Sequence, residues 1–491
     1  MSRLIAALAV ALLLSACATR FENHPLAAGQ SNVERRTVDV SQPNRPLVLV
    51  AISGGGSRAA AFGWAVLSEL RKYRYRSADG SMRPLTDDIA VISSVSGGSV
   101  IAAHFALEGA AGLDRFEPDF LALDNTRTLG AEAISPVRLV TGAARSDLVE
   151  QLFDRQLYGG KTFAALNQPG KPYLILNATD MASGQVFAFT PQRFDDICSD
   201  LDTQAISTGV AASAAVPVAF TPISLLNYSY AASTEWCRQR ALPAWVSNRL
   251  DPKRLYAPYL NVDQFRLARY VNDLRNGPNP FRRVEHVYLL DGGLADNLAI
   301  HGLMETVASP FGAAIVAPPA GRGGPPQTVL QAINEGRVGK LVVIAINSRA
   351  DPPNGIYASP DRPGIIGMIQ SVTSLPIDAA SADVKGQLDA LLAQYKGFTG
   401  APAIYDIELD FDQLRASDPA QLALRDEAKQ IPTLWTISKP DLEVIEKVGT
   451  VLLQQHPCFR RLLGDLGIPA DFTQPGDEYA RNGCAQVSDR H

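Results

Sequence analysis

No apolar run in the 491-residue chain reaches the roughly 18–20 residues that a helix needs to span a bilayer. Charge of one sign is also lacking. The formal net charge is -5 at pH 7, which gives no reason to expect a nucleic-acid partner. Histidines number 6, so a Ser-His-Asp triad has few residues to draw on. No Gly-Lys-Ser/Thr follows a glycine loop, which excludes a P-loop. Internal repeats are absent. What the chain does have is 46% apolar and 19% charged residues, as in an ordinary globular protein. Its length suffices for one large domain or two to three smaller ones.

The N-terminus reads as a targeting segment. Arg3 is followed by an apolar stretch at 4–14, about the length of a signal h-region. Leu14-Ser15-Ala16-Cys17 resembles a bacterial lipobox, so residues 1–17 read as a lipoprotein signal peptide and its lipobox, with cleavage before Cys17 leaving that residue diacylated as the first of the mature chain. An ordinary cleavable signal ending near Ala16 or Ala18 is the alternative. Ala18 rather than Asp after the cysteine predicts the outer membrane, with a periplasm-facing body. Residues 18–45 are polar and aperiodic and read as a tether. Export makes disulfides possible for Cys198, Cys237, Cys458 and Cys484. Four cysteines allow three connectivities. Closeness in sequence favours Cys198–Cys237 and Cys458–Cys484, with buried free thiols as the alternative.

Strand and helix signals alternate from residue 46 to about 350. Residues 47–52, 89–95, 173–178 and 341–346 are continuous apolar runs, as expected of parallel strands covered on both faces. Residues 59–72 and 97–107 read as helices, so the pattern predicts an α/β sheet with helices on both faces. Residues 222–286 break the alternation. They are rich in Tyr, Arg, Asn and Pro and form an insertion, a possible lid or a structural addition. Residues 318–326 read as a flexible surface segment. Residues 351–491 read as a helical extension concerned with packing. In it Ser438 caps a helix whose Leu442, Ile445, Val448 and Leu452 share one face.

Ser96 carries the chemistry. It sits in Val95-Ser96-Gly97-Gly98-Ser99, after a strand and before a helix, the layout of a nucleophile elbow. Upstream, Gly54-Gly55-Gly56-Ser57-Arg58 joins another strand to another helix. Its backbone N–H groups, at a positive helix start, form a nest for an oxyanion. The N–H of Gly97 adds a donor, and Arg58 either holds the loop or adds positive potential. Gly54-x-Gly56-x-x-Ala59 also fits a loose dinucleotide pattern, but the next strand ends at the elbow rather than at an acidic residue. Asp291 follows a strand and precedes Gly292-Gly293, which leaves it room to face the serine. Taken alone it also reads as a turn-forming Asp-Gly. His104 and His301 are poorly placed for a triad, so a Ser96–Asp291 dyad is the simpler reading.

These motifs resemble the patatin-like phospholipase family over residues 47–348. Gly-Gly-Gly-Ser-Arg at 54–58, Val-Ser-Gly-Gly-Ser at 95–99, Ala-Ser-Ala-Ala-Val-Pro at 212–217 and Asp-Gly-Gly-Leu-Ala-Asp-Asn at 291–297 stand in the family's order. Thr179-Asp180 with Gly184 resembles a further family segment. Two positions depart: Ala59 and Ser94 stand where the family has glycine.

The resemblance implies a three-layer α/β/α fold, a Ser-Asp dyad, and calcium-independent hydrolysis of lipid acyl esters without metal or cofactor. The expectation is a membrane-anchored acyl hydrolase of phospholipid or lysophospholipid. Ser96 and Asp291 are catalytic, Gly54, Gly55, Gly56 and Gly97 form the oxyanion hole, Arg58 supports it, and Cys17 carries the lipid. An esterase, thioesterase or transacylase of the same fold, or a non-catalytic lipid-binding lipoprotein, are the alternatives.

Overall fold

Strand β1 (Pro46–Ile52) is buried along its whole length, and its two faces look into different cores. Val48, Val50 and Ile52 join one apolar cluster; Leu47, Leu49 and Ala51 join another. Alternation along a strand thus places the sheet between two helical layers. The computed structural model describes residues 23–33, 36–38, 40, 45–133, 145–217, 219–254, 262–279, 281–304, 315–319, 324–349, 385–390, 392, 402–469, 472 and 484. The segment at 1–17 expected to be a signal peptide with its lipobox Cys17, and residues 18–22, lie outside the described residues, as do parts of the insertion, of 318–326 and of the C-terminal region.

The other strands of the sheet are β2 (Ile89–Val95), β3 (Tyr173–Asp180), β4 (Val186–Phe189), β5 (Ile223–Leu226), β6 (His286–Asp291), β7 (Lys340–Asn347) and β8 (Ala403–Asp410). The order is β8-β7-β1-β2-β3-β6-β5, with β4 also pairing β3. From β8 to β3 all neighbours are parallel, while β4, β5 and β6 are antiparallel additions. On one face lie α1 (Gly56–Leu70), α2 (Gly97–Glu108), α3 (Ile206–Ser213) and α5 (Lys439–Gln455). The insertion contributes α4 (Val262–Asn276), and α6 (Pro457–Asp465) follows α5. On the other face lie residues 298–303 and 329–333.

Helix α1 is buried at all but one of its positions, which its Ala59-Ala60-Ala61 run permits by keeping the cylinder narrow. Gly449 on α5 faces Ala65: a Cβ there would meet the alanine Cβ at 2.9 Å. Two helices can approach this closely only where both present small residues. The C-terminal region is therefore built into the same body. It is helical, as expected, but it also supplies β8, an edge strand of the main sheet. The sequence reading missed β8 because Ile404, Tyr405, Ile407 and Leu409 are separated by Asp406 and Glu408, which breaks the apolar run.

The tether reading needs correction. Asn23, Leu26, Asn32, Arg36, Val38 and Val40 are buried. Asn23 Nδ2 donates to the Leu226 carbonyl at 2.8 Å, and Asn32 Nδ2 donates to Asp195 Oδ1 at 2.6 Å. Arg36 Nε donates to Asn167 Oδ1 at 2.8 Å. The Val38 N–H donates to the Ile315 carbonyl at 2.6 Å. The segment looked solvated because it is polar, yet Asn23, Asn32 and Arg36 are docked on the body by side-chain hydrogen bonds. Disulfides join Cys198 to Cys237 and Cys458 to Cys484, the pairing favoured by sequence proximity.

Candidate active site

The sheet brings two chain ends face to face. Strand β2 pairs with β3 as far as Val95 opposite Asn177. Strand β6 pairs with β3 from Asp291 opposite Ala178. Strand β4 overlaps both stretches, from Leu176 to Thr179. A strand has only two edges, so β4 takes one while β2 and β6 share the other. Strand β2 rises to Ser96, antiparallel β6 descends to Asp291, and they end beside neighbouring residues of β3. Asp291 thus stands at the end of an antiparallel strand, not of a parallel one as an ordinary α/β site requires.

At the elbow, Ser96 adopts φ 52 and ψ -124, a conformation that side chains rarely take. It is held by hydrogen bonds beneath the turn. The Ser96 N–H donates to Ser213 Oγ at 2.9 Å, and that hydroxyl donates to the Asn177 carbonyl at 2.6 Å. The Gly292 N–H donates to the Ser213 carbonyl at 3.1 Å, and the Asp291 N–H to the Ala215 carbonyl at 2.9 Å. Ser213 therefore ties the serine turn and the aspartate turn to one helix end. Ser94, where the family has glycine, is absorbed into this network: Ser99 Oγ donates to Ser94 Oγ at 3.1 Å.

Ser96 and Asp291 are both buried, and the Ser96 side chain is close enough to the carboxyl to favour its charged form. The Gly293 N–H donates to Asp291 Oδ1 at 2.8 Å. Thr179 Oγ1 donates to the Asp291 carbonyl at 2.8 Å and fixes the backbone from β3. Burial raises the Asp291 carboxyl to about 6, against the opposing pull of the Gly293 N–H and Ser96. It is still a carboxylate at neutral pH, and more basic than a solvated one.

The glycine loop lies against the elbow. A Cβ on Gly97 would stand 1.9 Å from the Gly56 carbonyl oxygen, so only glycine lets the two backbones meet. Gly55 and Gly56 take positive φ values of 139 and 59. Among the described residues, no acceptor takes the N–H of Gly55, Gly56 or Gly97. Gly54 is different. Its N–H donates to the Asn297 carbonyl at 3.0 Å and is not free for an oxyanion. Gly54 serves instead by having no side chain, since a Cβ would meet Asn297 Oδ1 at 2.4 Å.

Arg58 is buried, and its guanidinium is occupied by partners outside the dyad. Its Nε donates to the Ser348 carbonyl at 2.9 Å, Nη1 donates to the Ile431 carbonyl, and Nη2 donates to Thr433 Oγ1 at 3.3 Å. Of the two roles considered for it, holding the loop is the one its contacts support. Burial lowers its pKa to about 10, which leaves it charged at neutral pH. His104 bonds the Gly112 carbonyl through Nε2 at 2.9 Å and packs on Phe116, away from the serine. The His301 N–H donates to Asp296 Oδ2 at 2.6 Å in the turn after the Asp-Gly-Gly block. No group of His, Cys, Asp and Glu suited to a metal ion occurs among the described residues.

Sequence reasoning missed Asn297, Ser348 and residues 431–434 as neighbours of the glycine loop. Ser213 was visible only as part of a family block. Its hydroxyl under the elbow has no signal in the sequence beyond that block.

The patatin-like phospholipase family model matches residues 50–304. The match spans more than half of the chain, so the chain belongs to this family. Among solved structures it is similar to human GIVD cytosolic phospholipase A2, at 12% identity and TM-score 0.39, covering 86% of this chain and 62% of that one. The complex of that enzyme with methyl gamma-linolenyl fluorophosphonate gives 12% identity and TM-score 0.39, covering 92% of this chain and 66% of that one. The chain thus spans just under two thirds of the length of these solved chains. No curated protein matches it.

Proposed function

We propose that the protein is a serine acyl hydrolase that cleaves acyl esters of phospholipids or lysophospholipids through Ser96 and Asp291. The observation that carries this reading is the strained, buried Ser96 beside a carboxylate of raised pKa, with the free N–H groups of Gly55, Gly56 and Gly97 alongside. Asp291 takes the Ser96 proton as Oγ adds to the ester carbonyl. The three N–H groups stabilise the oxyanion that forms. As the tetrahedral adduct collapses, the alcohol leaves with the proton from Asp291. Water then adds to the acyl-enzyme, gives its proton to Asp291, and releases the fatty acid and free Ser96.

The pH profile follows from the base. Only the carboxylate accepts a proton, so kcat/KM should rise through an apparent pKa near 6 and fall about tenfold per unit below it. A profile flat down to pH 4 would rule out Asp291 as the base. The substrate class is tested on phospholipid and lysophospholipid vesicles beside short-chain esters and thioesters. Fatty-acid release from the vesicles that Ser96→Ala abolishes supports the reading, whereas turnover of soluble esters or thioesters alone moves the assignment to an esterase or thioesterase. Transfer of the acyl group to a second lipid, rather than to water, marks a transacylase.

The membrane setting rests on the lipobox and on exposed apolar residues, two of them beside the site. Leu434 is exposed beside the glycine loop, and Val216 follows Ala215, which holds Asp291. Phe281, in the 222–286 insertion, is 96% exposed and followed by Arg282 and Arg283, a pairing suited to an anionic lipid surface. Cys17→Ser should abolish incorporation of labelled palmitate and move the protein from the membrane to the soluble fraction. Unchanged labelling would exclude Cys17 as the anchor point.

A further inference from the structure

We propose that residues 431–436, a strap far beyond the stretch matched by the family, form a working wall of the oxyanion hole. The inference rests on the hydrolase reading above. The first turn of a helix offers N–H groups without intrahelical partners, and here they have separate uses. At α1, the Ser57 N–H donates to the Leu434 carbonyl at 2.7 Å. The Leu434 backbone also closes on Gly56, where a Cβ would meet its carbonyl oxygen at 2.4 Å and its nitrogen at 3.2 Å. On its other side the Gly56 carbonyl lies against the Cα of Gly97. The Gly56 peptide is gripped between elbow and strap, and this grip sets the direction of the N–H groups facing the oxyanion.

The strap is held at both ends. Arg58 donates to the Ile431 carbonyl and to Thr433 Oγ1. Beyond Leu434, the Trp435 N–H donates to Thr126 Oγ1 at 3.1 Å, and Thr436 Oγ1 donates to Asp124 Oδ1 at 2.9 Å. The Trp435 ring meets Phe153 edge-on, with centroids 5.1 Å apart. Thr433 and Trp435 are thus positioning residues. Among the described residues no hydrogen bond joins their side chains to the dyad or to the free N–H groups, and they act through Leu434 on Gly56.

Thr433→Val, Trp435→Ala and Trp435→Phe test this in the full-length protein. The probes are a soluble p-nitrophenyl ester, for kcat and KM, and a trifluoromethyl ketone, whose serine adduct places an oxyanion in the hole. Trp435→Ala should lower kcat about 10- to 100-fold with KM within about threefold, as for a misdirected oxyanion donor. Ketone inhibition should weaken by the same factor, since the adduct resembles the transition state. Trp435→Phe should restore most of the loss, and Thr433→Val, which removes one hydrogen bond, should give a smaller loss of the same kind. If Trp435→Ala proves too unstable to assay, Thr433→Val carries the test. Wild-type kcat and ketone affinity in variants that merely melt earlier would overturn the proposal and leave the hydrolase reading intact. A wild type that neither turns over esters nor binds the ketone would overturn both.

Discussion

Asp291→Asn should abolish turnover and at the same time make the protein harder to unfold. An amide cannot accept the Ser96 proton, so a loss of at least about 10³-fold in kcat/KM is expected, comparable to Ser96→Ala because the two act as a unit. The stability effect comes from the same burial. The folded protein holds the Asp291 carboxyl at about 6, above its ordinary value of 3.8. A raised carboxyl favours folding while protonated, and that contribution is lost as pH rises from about 4 through 6. At pH 7 the buried charge costs about 3 kcal/mol, from the two-unit shift. Asparagine is neutral at every pH and its Oδ1 can still accept the Gly293 N–H. The variant should therefore be about 1–3 kcal/mol more stable at pH 7, with the gain vanishing near pH 4. Thermal melts of both proteins across that range are the check. An active Asp291→Asn, or one whose stability advantage grows toward low pH, contradicts the assignment.

Gly97→Ala should be nearly as damaging, for a steric reason. The added Cβ would stand 1.9 Å from the Gly56 oxygen, 2.5 Å from its carbon and 2.7 Å from its Cα. All three are backbone atoms, so no side-chain rotation relieves the overlap. The glycine loop must retreat by more than an ångström and take the Gly55 and Gly56 N–H groups with it. Loss of one such donor costs about 10²- to 10³-fold in kcat, and here two are displaced together. Gly464→Ala is the control. It lies in α6 with nothing within 4 Å of its added Cβ, so it should keep full activity and gain about 0.5–1 kcal/mol of stability. Assay of the two purified variants with a soluble ester separates a local steric effect from general sensitivity to alanine.

What could be read from the sequence was whatever is local to it. β1, β2, β3 and β7 are covered on both faces, so they appear as unbroken apolar runs. Ser96 was legible because strand, small residues and helix are contiguous around it. The rest depends on pairings between distant segments. Nothing near Asp291 says that β6 runs antiparallel and meets β2 head-on along one edge of β3; that emerges only from the register. Polar Asn23, Asn32 and Arg36 looked like a solvated tether because their partners, Leu226, Asp195 and Asn167, are far away in the chain. Gly54 counted as an oxyanion donor until its N–H proved to be taken by the Asn297 carbonyl. Leu434 was invisible for a plainer reason: it acts through its backbone carbonyl, which side-chain identity does not encode.

The most direct test of the central claim is labelling with a fluorophosphonate, followed by peptide mapping of the modified residue. Wild type should be labelled on Ser96 alone. Ser96→Ala should not be labelled, and Asp291→Asn should react far more slowly, because the serine has lost its base. Label on another residue, or none on folded protein in the presence of detergent or vesicles, would contradict the assignment of Ser96 as an activated nucleophile.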